Sequence, residues 1–321
     1  MTQIEFAGNT VTVDEGCSLL EALDRAGQQI PNSCRSGVCH ACLLRAEEGD
    51  IPVKSQASLS SVQKAQNLLL ACQCYPATPM VVSRPLESAR VSAKLVDKTH
   101  LTKDILRVRL ESDIDWYPGQ YTTLWRSDTE GRSFSIASHP QRDGYIELHI
   151  RKRSGGLISE WLDQTLVSGE ECLISKPLGS CFYTPECAYS PLLLVSTGTG
   201  LSPIYGVLKE ALGSGHTYPI YLYSAAGDPG GLYLTKELTE LSYTFPQLHF
   251  RPVVRRRPKA GMLEGDLIDI VMKRHQDLKG WRVFLCGAPD MVHKLRKKCF
   301  LNGASMNAIL ADAFETPEMS L

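Results

Sequence analysis

Four cysteines have the types and spacing of ligands for an iron–sulfur cluster. Cys34, Cys39 and Cys42 form the pattern C-x4-C-x2-C, and 29 residues separate Cys42 from Cys72. Thiolates at this spacing hold the two irons of a [2Fe–2S] cluster, with three ligands on one loop. Gly37 allows that loop to turn its backbone amides toward the cluster, where hydrogen bonds tune the reduction potential. The spacing therefore predicts a [2Fe–2S] centre held by these four cysteines.

Two other metal sites are compatible with parts of this pattern. Two close pairs of cysteines are typical of structural zinc, and such a site could be built from Cys39, Cys42, Cys72 and Cys74. A zinc site of this kind leaves Cys34 unexplained. A Rieske centre needs two histidine ligands, and only His40 lies among the cysteines. The [2Fe–2S] interpretation alone accounts for the whole pattern.

Two glycine-rich turns could bind the phosphates of nucleotide cofactors. The first is Gly155-Gly156-Leu157-Ile158-Ser159, at the start of a predicted helix. The second is Gly198-Thr199-Gly200-Leu201-Ser202-Pro203, after the apolar run Leu192–Val195 and before another predicted helix. In both, backbone N–H groups and the positive end of a helix dipole would face an anion. A glycine turn on its own is more often only a turn, so the prediction depends on the other motifs of the chain.

The N-terminal segment must position the cysteine loop. Residues Ile4–Val13 alternate like a hairpin that turns at Gly8-Asn9. A helix is predicted from Ser18, with Glu21 at the spacing of a capping box. Its apolar face is predicted from Leu19, Leu20, Leu23 and Ala26.

The rest of the chain changes from short strands to alternating strands and helices. Ile146, Leu148 and Ile150 alternate with Glu147, His149 and Arg151, which predicts a half-buried strand of an antiparallel barrel. Farther on, four buried strands are predicted at Leu192–Val195, Tyr218–Tyr223, Leu248–Val254 and Val283–Leu285. Helices are predicted between them, including Pro203–Leu212 and Leu263–Lys273. This alternation predicts a parallel sheet with helical crossovers.

Composition is that of an ordinary globular protein. The chain has 321 residues, 43% of them hydrophobic and 21% charged, with a net charge of −1. This charge gives no support to a nucleic-acid-binding protein, and we predict neither nucleic-acid partners nor a membrane span. Met1–Thr10 resembles no secretory signal, so we expect a cytoplasmic protein.

The motifs resemble those of a known family of reductases. The stretch Pro31–Cys42, with Leu70–Gln73, looks like a plant-type ferredoxin domain, and the remainder of the chain resembles the ferredoxin–NADP⁺ reductase superfamily. The whole chain is similar to the three-domain reductases that serve ring-hydroxylating dioxygenases, soluble monooxygenases and deoxysugar dehydrases. The resemblance implies a multidomain α+β and α/β protein: a β-grasp ferredoxin domain at 1–85, an antiparallel β-barrel FAD domain at 90–185 and a Rossmann-like NAD(H) domain at 190–321.

The resemblance also implies a flavin site. Arg132-Ser133-Phe134-Ser135 matches the R-x-[YF]-S motif, in which Arg132 binds a flavin phosphate, Phe134 lies against the flavin and Ser135 donates near its N5. Most members have tyrosine where this chain has Phe134. The family's pyrophosphate turn corresponds to Gly155, Gly156, Leu157, Ile158 and Ser159. A backbone contact with the flavin corresponds to His149, Ile150 and Arg151.

A nicotinamide site is implied in the same way. The turn Gly198, Thr199, Gly200, Ser202 and Pro203 resembles the superfamily's G-T-G-x-[ST]-P sequence. The family places the cysteine of Cys286-Gly287 beside the nicotinamide C4, so Ser135 and Cys286 are the expected catalytic residues. Phe314 is the candidate for an aromatic ring against the flavin. Hydride transfer needs alignment more than a proton shuttle, so no acid–base role is expected for Cys286.

Together with the resemblance, these motifs imply an electron-transfer enzyme that passes electrons from NADH to FAD, to the [2Fe–2S] cluster and then to an oxygenase or dehydrase component. NADH is preferred to NADPH because no Arg or Lys follows Tyr218–Tyr223 directly and Asp228 would repel a 2′-phosphate. The basic residues Arg255–Arg257 could still reach the same region. Two alternatives remain: a flavin or ferric-type reductase with its own small acceptor, and a cluster-based redox sensor.

The spacing makes a direct prediction about ligation. Cys72→Ser should abolish or severely damage the cluster, while Cys74→Ser should leave it intact, because the gap after Cys42 selects Cys72 as the fourth ligand. Iron and acid-labile sulfide analysis of anaerobically purified protein measures this, with FAD content as the internal control. Cluster loss in Cys74→Ser alone would show that the ligand had been assigned to the wrong cysteine.

Overall fold

A computed structural model describes residues 1–28, 30, 32, 35, 37, 42–59, 61–85, 90–127 and 130–314. Contacts within the chain divide it into two compact units, Met1–Arg90 and Val91–Leu321. Cys34 and Cys39, two of the expected cluster ligands, lie outside the described residues. In the described ranges, no helix has the length and apolar character needed to cross a membrane.

The first unit is built on a five-stranded mixed sheet. Its strands are β1 (Thr2–Phe6), β2 (Asn9–Val13), β3 (Leu43–Glu48), β4 (Leu68–Leu70) and β5 (Met80–Ser83). The order in the sheet is β2-β1-β5-β3-β4, and β1 pairs with β5 in parallel. Two short helices complete it, α1 (Leu19–Arg25) and α2 (Ser61–Ala65). A parallel central pair between antiparallel neighbours, with a helix packed against it, is the arrangement expected of a β-grasp domain.

The predicted hairpin and helix of this unit are both present, with two corrections. The hairpin turns at Ala7-Gly8, one residue earlier than predicted, because Phe6 pairs with Asn9 and both turn residues have positive φ. Helix α1 has the predicted capping box: Ser18 Oγ accepts from Glu21 N–H, and Ser18 N–H donates to Glu21. Its buried face includes Ala22, whereas Ala26 is exposed at the helix end.

The second unit begins with a six-stranded antiparallel sheet. Its strands are β6 (Arg90–Thr102), β7 (Ile105–Glu111), β8 (Tyr121–Trp125), β9 (Gly131–Ser135), β10 (Ile146–Arg151) and β11 (Glu171–Ser175). They are ordered β10-β7-β6-β11-β8-β9, and a bridge between Ile136 and Leu148 brings the end of β9 back to β10, which closes a barrel. The short helices α3 (Pro140–Asp143) and α4 (Leu157–Glu160) lie between its strands.

Strand β10 is buried on both faces, contrary to the half-buried strand predicted from its alternation. Ile146, Leu148 and Ile150 fill the barrel core as expected. Glu147 and His149 are also buried, because side chains from the second half of this unit cover the opposite face. Only Arg151 at the strand end is exposed.

A six-stranded parallel sheet forms the rest of the second unit. Its strands are β12 (Leu192–Thr197), β13 (Ile220–Ala226), β14 (Leu248–Val254), β15 (Leu263–Glu264), β16 (Arg282–Gly287) and β17 (Ile309–Ala313). The helices are α5 (Leu201–Gly213), α6 (Thr235–Thr244), α7 (Leu267–Arg274) and α8 (Pro289–Leu301). The order β15-β14-β13-β12-β16-β17 puts the switch point beside β12, whose carboxyl end opens the crevice where such sheets bind ligands.

The four strands predicted for this sheet are confirmed, but one predicted helix begins later. Residues 263–264 form β15, and α7 starts only at Leu267. Gly265 has a φ of +138°, which interrupts the helical path. Asp266 then caps the helix by accepting from Ile268 N–H and Asp269 N–H.

Candidate redox site

The glycine turn after β12 fits closely against the end of β16. Residues Gly198–Gly200 form a single 3₁₀ turn that leads directly into α5. A Cβ atom on Gly200 would lie 2.2 Å from the Cys286 carbonyl oxygen and 2.7 Å from the Gly287 nitrogen. No side chain fits in this space, so glycine allows the two backbones to touch. The turn therefore lies at the carboxyl edge of the sheet, where its backbone N–H groups can bind a phosphate.

The end of β16 contacts three segments: the glycine turn at Gly200, Thr197 of β12 and Phe314. Gly287 has a φ of +126°, and its amide-bonded neighbour Ala288 donates to Thr197 Oγ1 at 2.9 Å. Its carbonyl accepts from the N–H of Phe314 at 2.8 Å. Three sequence-predicted segments therefore meet at one place: the glycine turn, Cys286-Gly287 and Phe314.

The Cys286 thiol is buried and neutral. Its sulfur lies 3.4 Å from the sulfur of Cys181, and the side chain has no exposed surface. Burial, together with the neighbouring thiol, raises the pKa of Cys286 well above its ordinary value. A thiol in this state keeps its proton near neutral pH, as expected for a residue that acts through packing and position.

Ser135 connects the end of β9 to strand β17 and to helix α5. Its hydroxyl donates to Asp312 Oδ2 at 3.2 Å, and its carbonyl accepts from Ser202 Oγ at 2.8 Å. Ser202 lies in the first turn of α5, next to Pro203, and both are buried. The last residue of the R-x-F-S motif is thus hydrogen-bonded to the helix that comes after the glycine turn.

Asp312 is a site residue that the sequence motifs did not identify. It lies on β17, where it pairs with Cys286 of β16. Burial among neighbouring groups raises the pKa of Asp312 to about 6, although the Ser135 hydroxyl works in the opposite direction. Its place depends on the pairing of two strands separated by helix α8. No local motif marks it, apart from its position two residues before Phe314.

The other residues of the R-x-F-S motif lie along β9, where Arg132 and Ser133 are both exposed. Arg132 is exposed, with Nη1 donating to the Gly131 carbonyl at 2.8 Å. The Ser133 hydroxyl is 3.0 Å from that of Thr123 on β8. Phe134 is half-buried against the barrel core. This arrangement leaves the guanidinium of Arg132 at the surface, where it can pair with a phosphate.

The turn at Gly155-Gly156 already binds an anionic oxygen. Gly155 has a φ of +72°, and its N–H donates to Glu160 Oε1 at 2.7 Å. Ser159 Oγ donates to the Gly156 carbonyl at 3.1 Å, with Ile158 buried and Leu157 exposed beside it. A carboxylate in this position indicates that the turn suits an anion such as a pyrophosphate.

Arg151 brings positive charge to the nicotinamide turn. Its Nη2 atom is 3.1 Å from where a Cβ of Gly198 would lie, and Gly198 has a φ of +55°. His149 and Ile150 precede it on β10, where both are buried. The structure places the Arg151 side chain at this turn, in addition to any backbone contact that the strand makes with a flavin.

In the first unit, Cys42 and Cys72 have surroundings that suit thiolate ligation, in contrast to Cys74. Cys42 and Cys72 are buried, and the Cys72 N–H donates to Cys42 Sγ at 3.5 Å, the kind of bond that a ligand thiolate accepts. The loop residue Gly37 has a φ of +78°, and its carbonyl accepts from Ser58 Oγ at 2.6 Å. Cys74 is fully buried, and burial raises the pKa of its thiol to about 12.

Three family models match the chain in succession. The 2Fe-2S iron-sulfur cluster binding domain matches residues 4–77, the oxidoreductase FAD-binding domain 92–183, and the oxidoreductase NAD-binding domain 194–297. Each matched range contains the motif that predicted the corresponding cofactor. The cofactors of this chain are therefore a [2Fe–2S] cluster, FAD and NAD(P)H.

Curated relatives align along nearly the whole chain. The reductase component of the naphthalene 1,2-dioxygenase system of Pseudomonas putida is 34% identical, covering 93% of this chain and 94% of its own. The reductase subunit of an aromatic O-demethylase from an Amycolatopsis species is 30% identical, covering 90% of this chain and 91% of its own.

Solved structures share the complete fold. An Amycolatopsis cytochrome P450 reductase has a TM-score of 0.69 and 27% identity, covering 98% of this chain and 99% of its own. A ferredoxin reductase of carbazole 1,9a-dioxygenase, at 22% identity and a TM-score of 0.64, covers 98% of both chains and shows the same fold. The chain therefore belongs to the family of NAD(P)H-dependent FAD and iron–sulfur oxidoreductases that join a ferredoxin domain to a flavin and nicotinamide reductase.

Proposed function

We propose that this reductase takes hydride from NADH and delivers electrons, one at a time, to the terminal component of an oxygenase system. The observation that carries the proposal is the meeting of Ser135, the glycine turn and Cys286 at the carboxyl edge of the parallel sheet. Two relatives of the chain serve a naphthalene dioxygenase and an aromatic O-demethylase, which favours an oxygenase over a sugar dehydrase as the partner.

FAD is proposed to lie along the barrel, held by charge and by backbone amides. Arg132 would pair with a flavin phosphate, the turn at Gly155-Gly156 would hold the pyrophosphate, and Phe134 would contact the ring system. Glu160 now accepts from that turn and would yield its place to the pyrophosphate. When bound, FAD accepts two electrons as hydride and releases them singly to a [2Fe–2S] cluster held by Cys34, Cys39, Cys42 and Cys72.

The nicotinamide dinucleotide is proposed to lie across the ends of β12, β13 and β16. Gly198 and Gly200 offer amides to its phosphates, and the guanidinium of Arg151 supplies the matching charge. Cys286 and Phe314 would bound the pocket for the nicotinamide ring. The neutral, buried thiol of Cys286 excludes water and aligns the ring without taking a proton.

Ser135 and Asp312 form the proton-holding pair of the proposed site. Above the pKa of Asp312, which burial raises to about 6, its carboxylate accepts the Ser135 O–H and fixes the direction of that hydroxyl. Below it, the protonated carboxyl can donate instead, and Ser135 Oγ loses this orientation. At and above neutral pH the hydroxyl proton is therefore held toward Asp312, so Ser135 would offer flavin N5 the lone pairs of its oxygen rather than the proton expected from the motif.

A preference for NADH is proposed from the loop after β13. Asp228 is exposed there, and its carboxylate caps the next turn by accepting from Gly230 N–H at 3.0 Å. The neighbouring strand brings Arg255 close, because the Arg255 N–H donates to the Ala226 carbonyl at 3.3 Å. The Asp228 carboxylate is fixed by its hydrogen bond. The exposed Arg255 side chain is not held at the loop by any interaction in the described part of the chain. Repulsion between Asp228 and a 2′-phosphate therefore dominates.

We also propose a cytoplasmic location. The Cys181 and Cys286 sulfurs of the second unit lie only 3.4 Å apart without being bonded to each other. Such a pair persists as thiols in a reducing compartment.

The proposed electron path predicts separate effects on small and protein acceptors. In the Cys72→Ser variant, NADH should still bleach the flavin and reduce ferricyanide, while reduction of a purified oxygenase component should fall by about two orders of magnitude or more, because only the flavin remains to donate. Anaerobic stopped-flow absorbance measures both rates. Unchanged reduction of the oxygenase component would contradict the path through the cluster and favour a reductase with its own small acceptor.

Nucleotide preference gives a second prediction. Wild-type kcat/KM should be higher for NADH than for NADPH, and Asp228→Asn should raise the NADPH value about fivefold by removing about 1 kcal/mol of repulsion. The NADH value should change little, and Asp277→Asn, at an exposed loop aspartate elsewhere, serves as the control. A wild-type preference for NADPH would refute the assignment.

The Ser135–Asp312 pair predicts a pH dependence. The rate of flavin reduction by NADH should fall as pH drops through about 6. Asp312→Asn should remove this step and lower the rate above it by about tenfold, since an amide oxygen is a weaker acceptor. The free energy of unfolding should change in the opposite direction. Because the pKa of Asp312 is raised on folding, this free energy increases as pH falls toward the pKa of the unfolded state. Asp312→Asn should therefore be the more stable protein at pH 7, and an unaltered pH profile would exclude Asp312 from the reaction.

A further inference from the structure

A buried chain of polar side chains runs from the barrel to the loop after β13. His149 Nε2 lies 3.1 Å from Glu147 Oε1, and His149 Nδ1 lies 3.2 Å from the hydroxyl oxygen of Tyr233. All three side chains are buried. Tyr233 belongs to the segment between β13 and α6, so the chain links two parts of the second unit that are remote in sequence.

The charge states of the chain fix the direction of both hydrogen bonds. Burial alone would raise the pKa of Glu147, but hydrogen bonds from His149 and Arg109 outweigh it and lower the pKa to about 2. Burial lowers the pKa of His149, even though Glu147 acts in the opposite direction. A neutral imidazole beside a carboxylate must donate from Nε2, which leaves Nδ1 to accept from the Tyr233 hydroxyl. Each polar atom of the ring therefore has one defined partner.

The far end of the chain is firmly anchored in the barrel. Arg109 on β7 donates from Nε to Glu147 Oε2 at 2.8 Å. Its Nη1 atom donates to Asp97 at 3.3 Å, and its guanidinium lies over the Tyr145 ring. The Glu147 N–H donates to Ser138 Oγ at 2.8 Å. Glu147 is therefore fixed on both its carboxylate and its backbone, so it can hold the imidazole in one position.

The same face of β10 reaches both loops of the proposed dinucleotide site. Glu147, His149 and Arg151 alternate along the strand and share one face. Arg151 lies against Gly198 in the turn after β12, and His149 binds Tyr233 in the loop after β13. Strands β12 and β13 are parallel neighbours, so these loops lie side by side at the carboxyl edge of the sheet.

The loop after β13 takes its conformation from its own hydrogen bonds, but its position relative to the glycine turn depends on contacts with other elements. Turn bonds among Asp228, Gly230 and Gly231 define its conformation. These bonds cannot set its distance from the glycine turn, because they are all internal to the loop. The buried Tyr233 ring, edge-on to His149 at 5.3 Å between centroids, contributes to that placement, together with Leu234, which packs against the neighbouring core.

We propose that His149 and Tyr233 are positioning residues for the nicotinamide dinucleotide: through them, the barrel holds the Asp228–Leu234 loop where it binds the adenosine half. The chain sets dinucleotide affinity and leaves the hydride step itself unaffected. This inference rests on the proposed function, in which that loop and the glycine turn bind the dinucleotide together.

Tyr233→Phe tests the inference, since it removes one hydroxyl and keeps the buried ring. The Kd of NAD⁺, measured by calorimetry on the FAD- and cluster-loaded protein, should rise about fivefold, the loss of roughly one buried hydrogen bond. The KM for NADH should rise to the same extent. The kcat with ferricyanide and the FAD content should match wild type, because neither the flavin nor the reacting atoms are touched.

The chain offers a matched control in Tyr183→Phe. The Tyr183 hydroxyl lies 3.1 Å from Nδ1 of buried His216, with the rings edge-on at 5.9 Å. His216 lies between α5 and β13, at the opposite edge of the sheet from the glycine turn. Both substitutions remove a tyrosine hydroxyl from a buried histidine, so both should lower the melting temperature similarly. Only Tyr233→Phe should weaken NAD⁺ binding.

Three outcomes decide between the inference and the function on which it rests. Weaker NAD⁺ binding in Tyr233→Phe, but not in Tyr183→Phe, supports the inference. Unchanged NAD⁺ affinity in Tyr233→Phe, while Asp228→Asn tightens NADP⁺ binding, overturns the inference and leaves the proposed site in place. If neither Tyr233→Phe nor Asp228→Asn alters any dinucleotide affinity, the loop does not bind the adenosine half, and both the inference and the proposed basis of the NADH preference fail.

Discussion

The contact between Gly200 and the Cys286 carbonyl sets the geometry of the second unit. With only 2.2 Å available for a Cβ, the turn after β12 and the end of β16 must meet backbone to backbone. This contact holds an anion-binding turn beside a buried thiol. It also fixes the start of α5, from which Ser202 reaches the carbonyl of Ser135. The position of Ser135 therefore depends on the turn at Gly198–Gly200, and in the proposed function this one contact would align the flavin with the nicotinamide.

Local motifs predicted the elements of this protein well, because each depends on nearby residues. The capping box of Ser18 and Glu21, the four buried strands and the glycine turns all appear where the sequence indicates. The spacing of the proposed cluster ligands is local too, since three of the four cysteines lie between positions 34 and 42 of the sequence. The corrected boundaries, such as the start of α7 at Leu267, also have local causes, in this case a glycine at positive φ and then a capping aspartate.

Features that depend on tertiary pairing were not predictable in this way. Asp312 enters the site because β17 pairs with β16, which places it opposite Cys286. Glu147 and His149 look like the solvent face of a strand until Tyr233 and Tyr205 cover them. In both cases the partner is far away in sequence, and a single sequence carries no signal of which strands or loops will pack together. When another element covers the polar face of a strand, the alternation within that strand alone predicts the wrong burial for its polar residues.

The pKa values of two carboxylates in the second unit, those of buried Glu147 and partly buried Asp312, are shifted in opposite directions. Glu147 is paired with Arg109 and His149, which lower its pKa to about 2 despite burial. Asp312 has the neutral Ser135 hydroxyl as its partner, so burial prevails and raises its pKa to about 6. A carboxylate that stays ionised at every physiological pH serves as a fixed anchor, whereas one that titrates near neutrality can hold and release a proton. Hydrogen bonds from His149 and from the Arg109 cation thus keep Glu147 ionised, whereas the single Ser135 hydroxyl does not outweigh burial at Asp312.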